Sequence, residues 1–154
     1  MDKREMYAGL LKDMESLVAG ENDMMGVLAN AAALIYERTG YFWVGFYMVD
    51  GDLLKLAPFQ GPVACYRIGF GKGVCGAVWQ RAETVVVPDV EEFPGHIACS
   101  SLSRSEIVVP LFDDGRVAGV LDIDSRETAA FDNTDKEYLE QIGRVISAAI
   151  FGKK

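Results

Sequence analysis

The sequence has little positive charge for its length. Its 154 residues carry 15 lysines and arginines against 23 aspartates and glutamates, which gives a net charge of −8. Phosphate groups would be repelled over most of such a surface, so the composition argues against binding to nucleic acid or to an acidic membrane. We therefore expect neither partner.

Cysteine is scarce, and the three present are an odd number. Three cysteines are too few for a secreted disulfide scaffold, and at least one thiol must stay unpaired within a monomer. The charged start from Met1 to Glu5 lacks the apolar segment of a signal peptide, and no stretch approaches the about 18 apolar residues of a membrane span. These absences predict a cytoplasmic protein.

Half of the residues are hydrophobic, which favours one domain over residues 1–154. Apolar residues at helical spacing predict two N-terminal helices that end near Gly20 and Gly40, a short helix over 74–81, and a C-terminal helix with a capping box at 134–137. The remaining patterns predict strands over 41–50, 53–58, 63–68, 84–87, 106–112 and 116–124. This order predicts an α+β fold, in which a mainly antiparallel sheet has the N- and C-terminal helices on one face and a ligand pocket on the other.

The first predicted strand alternates between two kinds of side chain. Phe42, Val44, Phe46 and Met48 share one face, which we expect to pack under the helices. The other face carries Tyr41, Trp43, Gly45 and Tyr47. The glycine between two large aromatic residues allows a close approach to the backbone, so this face is a candidate pocket floor.

The last two strands predict a hairpin with one of two registers. A two-residue loop places Glu106 opposite Ile123, whereas a three-residue loop places it opposite Asp122. Only the second register separates an apolar face from an acidic face carrying Glu106, Asp122 and Asp124. We predict that register, with Gly115 in the left-handed conformation.

Three carboxyl groups on one partly buried sheet face cannot all be ionised easily, so at least one pKa should rise. Such a group supplies a proton donor beside an anion. The alternative is a solvated sheet end without a site. A metal site is less well supported, because the Asp-x-Asp spacing of 122–124 lacks the turn and further ligands of a Ca²⁺ loop. We expect no metal.

The stretch 71–76, Gly-Lys-Gly-Val-Cys-Gly, has the letters of a dinucleotide-binding fingerprint. The fingerprint requires a βαβ unit around it, and the pattern here offers none. We therefore interpret these glycines as a tight turn that leads into a short helix.

The cysteines differ in their surroundings. Cys99 lies in the irregular stretch 88–105, three residues after His96, where a thiol is more accessible than in a strand. His96 either helps to hold a thiolate or only orders the loop. Cys65 reaches Cys99 only if the loop and its strand come together, and the pair can then cycle between sulfenic acid, disulfide and dithiol.

Several segments together carry a resemblance to a known family. They are Trp43–Tyr47, Gly61–Cys65, Gly71–Gly76, Gly95–Cys99, Ser105–Leu111 and Gly119–Ser125. Through these segments the chain resembles the GAF-domain free methionine-R-sulfoxide reductases, and the resemblance extends over nearly its full length. A generic GAF domain shares the glycines but not the three cysteines together with the three acids.

The resemblance implies an oxidoreductase that reduces free L-methionine (R)-S-oxide to L-methionine, in repair of oxidative damage. Cys99 would be the nucleophile, Cys65 the resolving thiol and Cys75 an auxiliary thiol. It further implies a homodimer, recycling by thioredoxin and no cofactor. The implied substrate pocket is formed by Trp43, Tyr47, Glu106, Asp122 and Asp124.

Two other functions are compatible with the same residues. One is a stand-alone GAF module that binds a small molecule and shifts a partner without catalysis. The other is a thiol redox sensor whose acids are surface residues. Thioredoxin-dependent loss of free methionine sulfoxide separates the enzyme from both.

Overall fold

The computed structural model describes residues 1–97, 99 and 102–152. Its helices are α1 (Lys3–Val18), α2 (Met24–Thr39), α3 (Gly73–Arg81) and α4 (Asn133–Phe151), with a short 3-10 helix at Val90–Glu92. Its strands are β1 (Trp43–Asp50), β2 (Leu53–Gln60), β3 (Arg67–Gly69), β4 (Val85–Val87), β5 (Ser105–Asp113) and β6 (Arg116–Ser125). The strands form one antiparallel sheet in the order β3-β2-β1-β6-β5-β4.

Helices α1, α2 and α4 cover one face of this sheet. Tyr7 of α1, Leu28 of α2 and Ile142 of α4 pack in one buried cluster with Phe46 of β1 and Leu121 of β6. Burial of such side chains contributes about 1.5–3 kcal/mol each to folding. The predicted α+β fold, with these three helices on one face, is confirmed.

Helix α3 packs on the opposite face, which has a smaller apolar cluster of its own. Val74 and Val78 of α3 pack there with Tyr47, Val108 and Val120 of the central strands. Because successive side chains of a strand point to opposite faces, β1 contributes Phe46 to the helix-covered cluster and Tyr47 to this one. The sheet therefore separates the main core from the face that carries polar residues.

The start of α4 differs from the predicted capping box at 134–137. The N-cap is Asp132, which accepts hydrogen bonds from the backbone of Thr134 and Asp135, and the Asp135 side chain accepts from the Asp132 backbone. An aspartate caps a helix as well as threonine does or better, so the helix begins two residues earlier than the pattern indicated.

Asp135 is also the centre of a buried polar network that ties α1 to α4. Its carboxylate accepts hydrogen bonds from the hydroxyls of Tyr7 at 2.6 Å and Tyr41 at 2.7 Å, and from the Lys3 ammonium at 2.6 Å. The residue is fully buried. A buried carboxylate is tolerated when it is fully paired in this way.

The same network explains an error in the predicted faces of β1. The alternation predicts Tyr41 beside Trp43, but Tyr41 precedes the strand and packs on the helix-covered side. There the Asp135 carboxylate accepts a hydrogen bond from the Tyr41 hydroxyl. Phe42 lies against the cluster of the opposite face instead. Strict alternation holds only from Trp43, where β1 begins.

The β5–β6 hairpin has a two-residue loop, so the predicted three-residue loop is wrong. Asp113 pairs with Arg116 across Asp114 and Gly115. Both loop residues have positive φ, 53° and 81°, as a type I′ turn requires. The left-handed Gly115 is as predicted.

A β-bulge then restores the predicted faces. The register shifts where Ala118 has no partner in β5, and beyond it Glu106 pairs with Asp124 rather than with Asp122. The observed partners differ from the predicted ones by two residues, and a shift of two leaves each side chain on its face. The three acids consequently share one face.

Strand β3 is shorter than predicted and does not contain Cys65. The strand pairs with β2 only from Lys55↔Arg67 to Leu53↔Gly69. Pro62 has no backbone N–H to donate to a sheet. The preceding segment is held instead by side chains of β1, as described below.

The predicted irregular stretch 88–105 contains only the 3-10 helix before β5 among its described residues, while 98, 100 and 101 lie outside them. Its ends are tied by backbone hydrogen bonds from Val90 to Arg104 and from Arg104 to Ser125. Across the described part of the chain, none of the helices combines the length and apolar character that crossing a membrane requires.

Replacing Asp135 with alanine should lower the free energy of unfolding by about 3 kcal/mol or more, because Tyr7, Tyr41 and Lys3 lose their common acceptor. Urea denaturation measures the change. Glu137→Ala is the matched control on the same helix, since its ion pair with Arg4 is exposed, and it should change stability little. Equal losses in the two variants would contradict the structural role assigned to Asp135.

Candidate active site

The sheet face opposite α1, α2 and α4 brings together the five residues expected to form a pocket. Main-chain pairing places Asp124 between Trp43 of β1 and Glu106 of β5. In the same way Asp122 lies opposite Gly45 of β1 and Val108 of β5. Directly opposed side chains of an antiparallel pair lie about 4.5–5.5 Å apart at Cβ. All five predicted pocket residues line one cavity, namely Trp43, Tyr47, Glu106, Asp122 and Asp124.

The two aromatic residues hold the segment that carries Cys65. The indole N–H of Trp43 donates to the Pro62 carbonyl at 2.9 Å, and the Tyr47 hydroxyl donates to the Cys65 carbonyl at 2.8 Å. Each aromatic ring therefore forms part of the cavity wall while its polar atom positions the chain beside it.

Gly45 has a different role from the one predicted. A Cβ atom there would meet the Phe59 side chain and would lie 2.6 Å from the Trp43 ring, so the close approach to the backbone is made by these two aromatic residues. A Cβ at Gly61 would also lie 2.6 Å from the ring. The two glycines thus allow Trp43 to lie flat, stacked on Phe59 at 5.1 Å.

Cys65 and Cys99 come together as a disulfide with a Cα–Cα distance of 5.4 Å. Both residues are half-buried, and Cys99 lines the cavity. The sequence allowed the two thiols to react only if the irregular loop meets the segment that carries Cys65. The structure fulfils this condition. The third cysteine, Cys75, is a free thiol.

Glu106 and Asp122 are buried and Asp124 is half-buried, and the pKa of each of the three acids is raised. Burial raises the pKa of Glu106 well above its ordinary value, and the charges of Asp122 and Asp124 add to the effect. Burial and the charge of Asp122 do the same to Asp124. The pKa of Asp122 is also raised by burial, but hydrogen bonds with Glu106 and Cys75 oppose the rise. A proton therefore remains in the cluster to higher pH than on isolated carboxyl groups.

Cys75 reaches this cluster from α3. Burial raises the pKa of its thiol well above the ordinary value, and the nearby charge of Asp122 raises it further. One potential ligand atom from each of Cys75, Glu106 and Asp122 lies within 4.8 Å of the others, and one Asp122 oxygen has no hydrogen-bond partner. The cluster is thus suited to receive a positively charged group.

The glycine-rich turn delivers Cys75 to that position. Gly71 and Gly73 have φ of 74° and 60°, and the Gly71 N–H donates to the Gly76 carbonyl at 3.0 Å. A Cβ at Gly76 would lie 3.1 Å from the Gly71 backbone. The interpretation as a tight turn into a short helix is confirmed.

His96 approaches Glu106 from the irregular segment. Its Nε2 lies 3.8 Å from Glu106 Oε1, and burial lowers the pKa of the imidazole. The cavity is further lined by residues that the sequence did not assign to the pocket, namely Val63, Ala64, Ile68, Lys72, Gly73, Val74, Ile97 and Ser103. Ile68 lies in β3, and Gly73 and Val74 lie at the start of α3. The others lie in joining segments, where no periodicity predicts which side chains point inward.

The fold and this site agree with the comparison to protein families. Residues 23–150 match the GAF domain model, and the chain belongs to the GAF domain family.

More specific relatives are similar over nearly the whole chain. The chain is 47% identical to the free methionine-R-sulfoxide reductase of Escherichia coli (strain K12), over 92% of this chain and 87% of the relative. It is 54% identical to GAF domain-containing protein A of Dictyostelium discoideum, over 94% and 92%. These identities place the chain in the free methionine-R-sulfoxide reductase family within the GAF domains.

A solved structure supports the same assignment. The free methionine-R-sulfoxide reductase of Neisseria meningitidis, in complex with its substrate, is 56% identical. It superimposes with a TM-score of 0.95 over 97% of this chain and 90% of that one. The family resemblance and the GAF-like fold expected from the sequence are confirmed.

The crowded acids predict a stability that depends on pH. Folded Glu106 keeps its proton to higher pH than in the unfolded chain, so stability falls as pH rises from about 4, the ordinary carboxyl range, through the raised value. Glu106→Gln removes this loss. We expect the variant to be more stable than wild type by about 1–2 kcal/mol at pH 7.5, with a smaller difference at pH 4.

Chemical denaturation of the disulfide form at several pH values measures this effect. Glu91→Gln, at an exposed position, is the control and should follow wild type throughout. A Glu106→Gln variant that is less stable than wild type at pH 7.5 would contradict the proposed crowding.

Proposed function

We propose that this protein reduces the R epimer of free methionine sulfoxide to methionine through the thiols of Cys99 and Cys65. The observation that carries the proposal is the Cys65–Cys99 disulfide, because Cys99 lines a cavity that also holds three crowded carboxyl groups. The family of the chain supports the reaction and the substrate.

In the first step, the Cys99 thiolate attacks the electrophilic sulfur of the sulfoxide. An acid of the cluster gives a proton to the sulfoxide oxygen, which makes the S–O bond easier to break. The oxygen passes to Cys99 as a sulfenic acid, and methionine is released. A carboxyl group with a raised pKa supplies this proton at neutral pH, as Glu106 and Asp124 are suited to do.

In the second step, the Cys65 thiol attacks the sulfenic acid of Cys99. A disulfide forms and water leaves. The observed Cα–Cα distance of 5.4 Å suits this bond. An external dithiol, which we propose is thioredoxin, then returns two electrons and two protons to the pair. Cys75 stays outside this cycle as an auxiliary thiol.

The same acids account for a preference for the free amino acid. Free methionine sulfoxide carries an ammonium group, which the ionised members of the cluster neutralise. A peptide-bound residue has lost this charge and brings a backbone that the walls exclude. Trp43 offers an apolar surface for the methyl group of the substrate.

The remaining assignments follow from the family resemblance. We propose a cytoplasmic homodimer that acts in repair of oxidative damage, because a disulfide that must be reduced in each cycle requires a reducing compartment. The proposed chemistry requires no metal and no organic cofactor, since thiols and carboxyl groups supply the nucleophiles and the proton.

Cysteine variants separate the two steps. Cys99→Ser should abolish methionine formation, because it removes the attacking thiolate. Cys65→Ser should release about one methionine per chain and then stop as a sulfenic acid. Amino-acid analysis of quenched reactions counts the methionine, and a sulfenic acid probe with mass spectrometry locates the modification.

Cys75→Ser is the matched control, and it should retain repeated turnover. Repeated turnover by Cys99→Ser would contradict the assignment of the nucleophile. If wild-type enzyme with thioredoxin consumes neither epimer of free methionine sulfoxide, the result would contradict the proposed reaction and favour a binding module.

A further inference from the structure

His96 lies where the proposed chemistry requires a source of protons. It is the single histidine of the sequence, and its Nε2 lies 3.8 Å from Glu106 Oε1. The two side chains are 17% and 8% exposed, so most of this contact is removed from water. The reaction proposed above assigns no role to the imidazole.

Glu106 would need its proton replaced in every turnover. It is buried, and water has little access to its carboxyl group. Asp122 and Asp124 lie on the same sheet face and Cys75 faces them from α3, and burial raises the pKa of all three groups. They are therefore poor donors to Glu106.

Among the groups that face the cavity from other elements, His96 is the suitable proton donor to Glu106. Lys72 also lines the cavity, but it is an exposed residue, whereas the His96 side chain is mostly buried beside Glu106. Imidazole exchanges protons readily near neutrality. His96 is more exposed than Glu106 and thus stands between the acid and water.

We infer that His96 relays protons from solvent to Glu106 after each reduction of the sulfoxide. This inference rests on the proposed function and identifies Glu106 as the acid that protonates the sulfoxide oxygen. His96 acts through Glu106, so it is a positioning residue for the proton and does not itself touch the reacting sulfur.

The proton balance of the relay is simple. The Glu106 O–H bond breaks as the sulfoxide oxygen gains the proton. The protonated imidazole then gives its Nε2 proton to the Glu106 carboxylate and takes another from water. The Cys99 thiol released one proton to solvent on forming its thiolate, so the net exchange with solvent is zero and no electron moves in the relay.

The observed distance fits a contact that tightens during the reaction. A hydrogen bond requires about 2.7–3.2 Å, and catalytic contacts are often longer before substrate binds. In the structure the segment that carries His96 is also tied to Cys65 by the disulfide at Cys99. Reduction removes this tie, and a small movement of the imidazole brings it within reach.

The test compares the first turnover with later ones in His96→Gln at pH 8.5, where free protons are scarce. The first turnover is measured by rapid quench with pre-reduced enzyme and no added reductant. Later turnovers are measured with saturating thioredoxin. Because Glu106 reaches its protonation equilibrium before substrate is added in both proteins, we expect the first turnover to stay within about twofold of wild type, and later turnovers to slow at least about tenfold.

Added imidazole should restore most of the lost rate in His96→Gln, because it replaces the missing proton carrier. Ile97→Ala is the matched control, since Ile97 is the next residue and packs against Gly73 but does not titrate. Imidazole should not stimulate this control. His96→Asn is the second variant, and circular dichroism confirms that each variant is folded.

Three outcomes would overturn the relay. They are wild-type rates in later turnovers, an equal loss in the first turnover, and a loss that imidazole does not repair. The second outcome would show a structural role instead. These outcomes are distinguishable from failure of the proposed function, because in that case the wild-type enzyme itself forms no methionine.

Discussion

The crowding of Glu106, Asp122 and Asp124 on one buried sheet face is the constraint on which the site depends. Burial favours the neutral form of each carboxyl group, and each charge that does form raises the pKa of its neighbours. The cluster therefore holds a proton that it can donate, and it gains stability from any cation that enters. One arrangement is thus suited both to the proton donor and to the ammonium site of the proposed reaction.

This arrangement depends on the backbone as much as on the acids. The type I′ turn at Asp114 and Gly115 alone would place Glu106 opposite an apolar residue, and the bulge at Ala118 corrects the register so that Asp124 is its partner. The Asp135 network on the other side holds α1 and α4 against the sheet. Stability comes from the helix-covered face, which leaves the opposite face free to carry buried charge.

The sequence predicts those features that follow from periodicity. Alternation in β1 and β6 was enough to group Trp43 with Tyr47 and Asp122 with Asp124. Periodicity failed where a contact between distant parts of the chain decides the structure. Tyr41 turns to the helix side because the Asp135 carboxylate accepts a hydrogen bond from its hydroxyl. The Cys65 segment is held by β1 side chains rather than by strand pairing. Such long-range contacts leave no mark on local spacing, and neither does the approach of His96 to Glu106.

The most direct test of the central claim is a titration of the carboxyl groups themselves. Carbon-13 NMR of the labelled side-chain carboxyls of Glu106, Asp122 and Asp124 in the reduced, substrate-free protein follows each group from pH 3 to pH 9. Our account predicts that at least one of the three keeps its proton at pH 7. Ionisation of all three in the ordinary carboxyl range near pH 4 would contradict it.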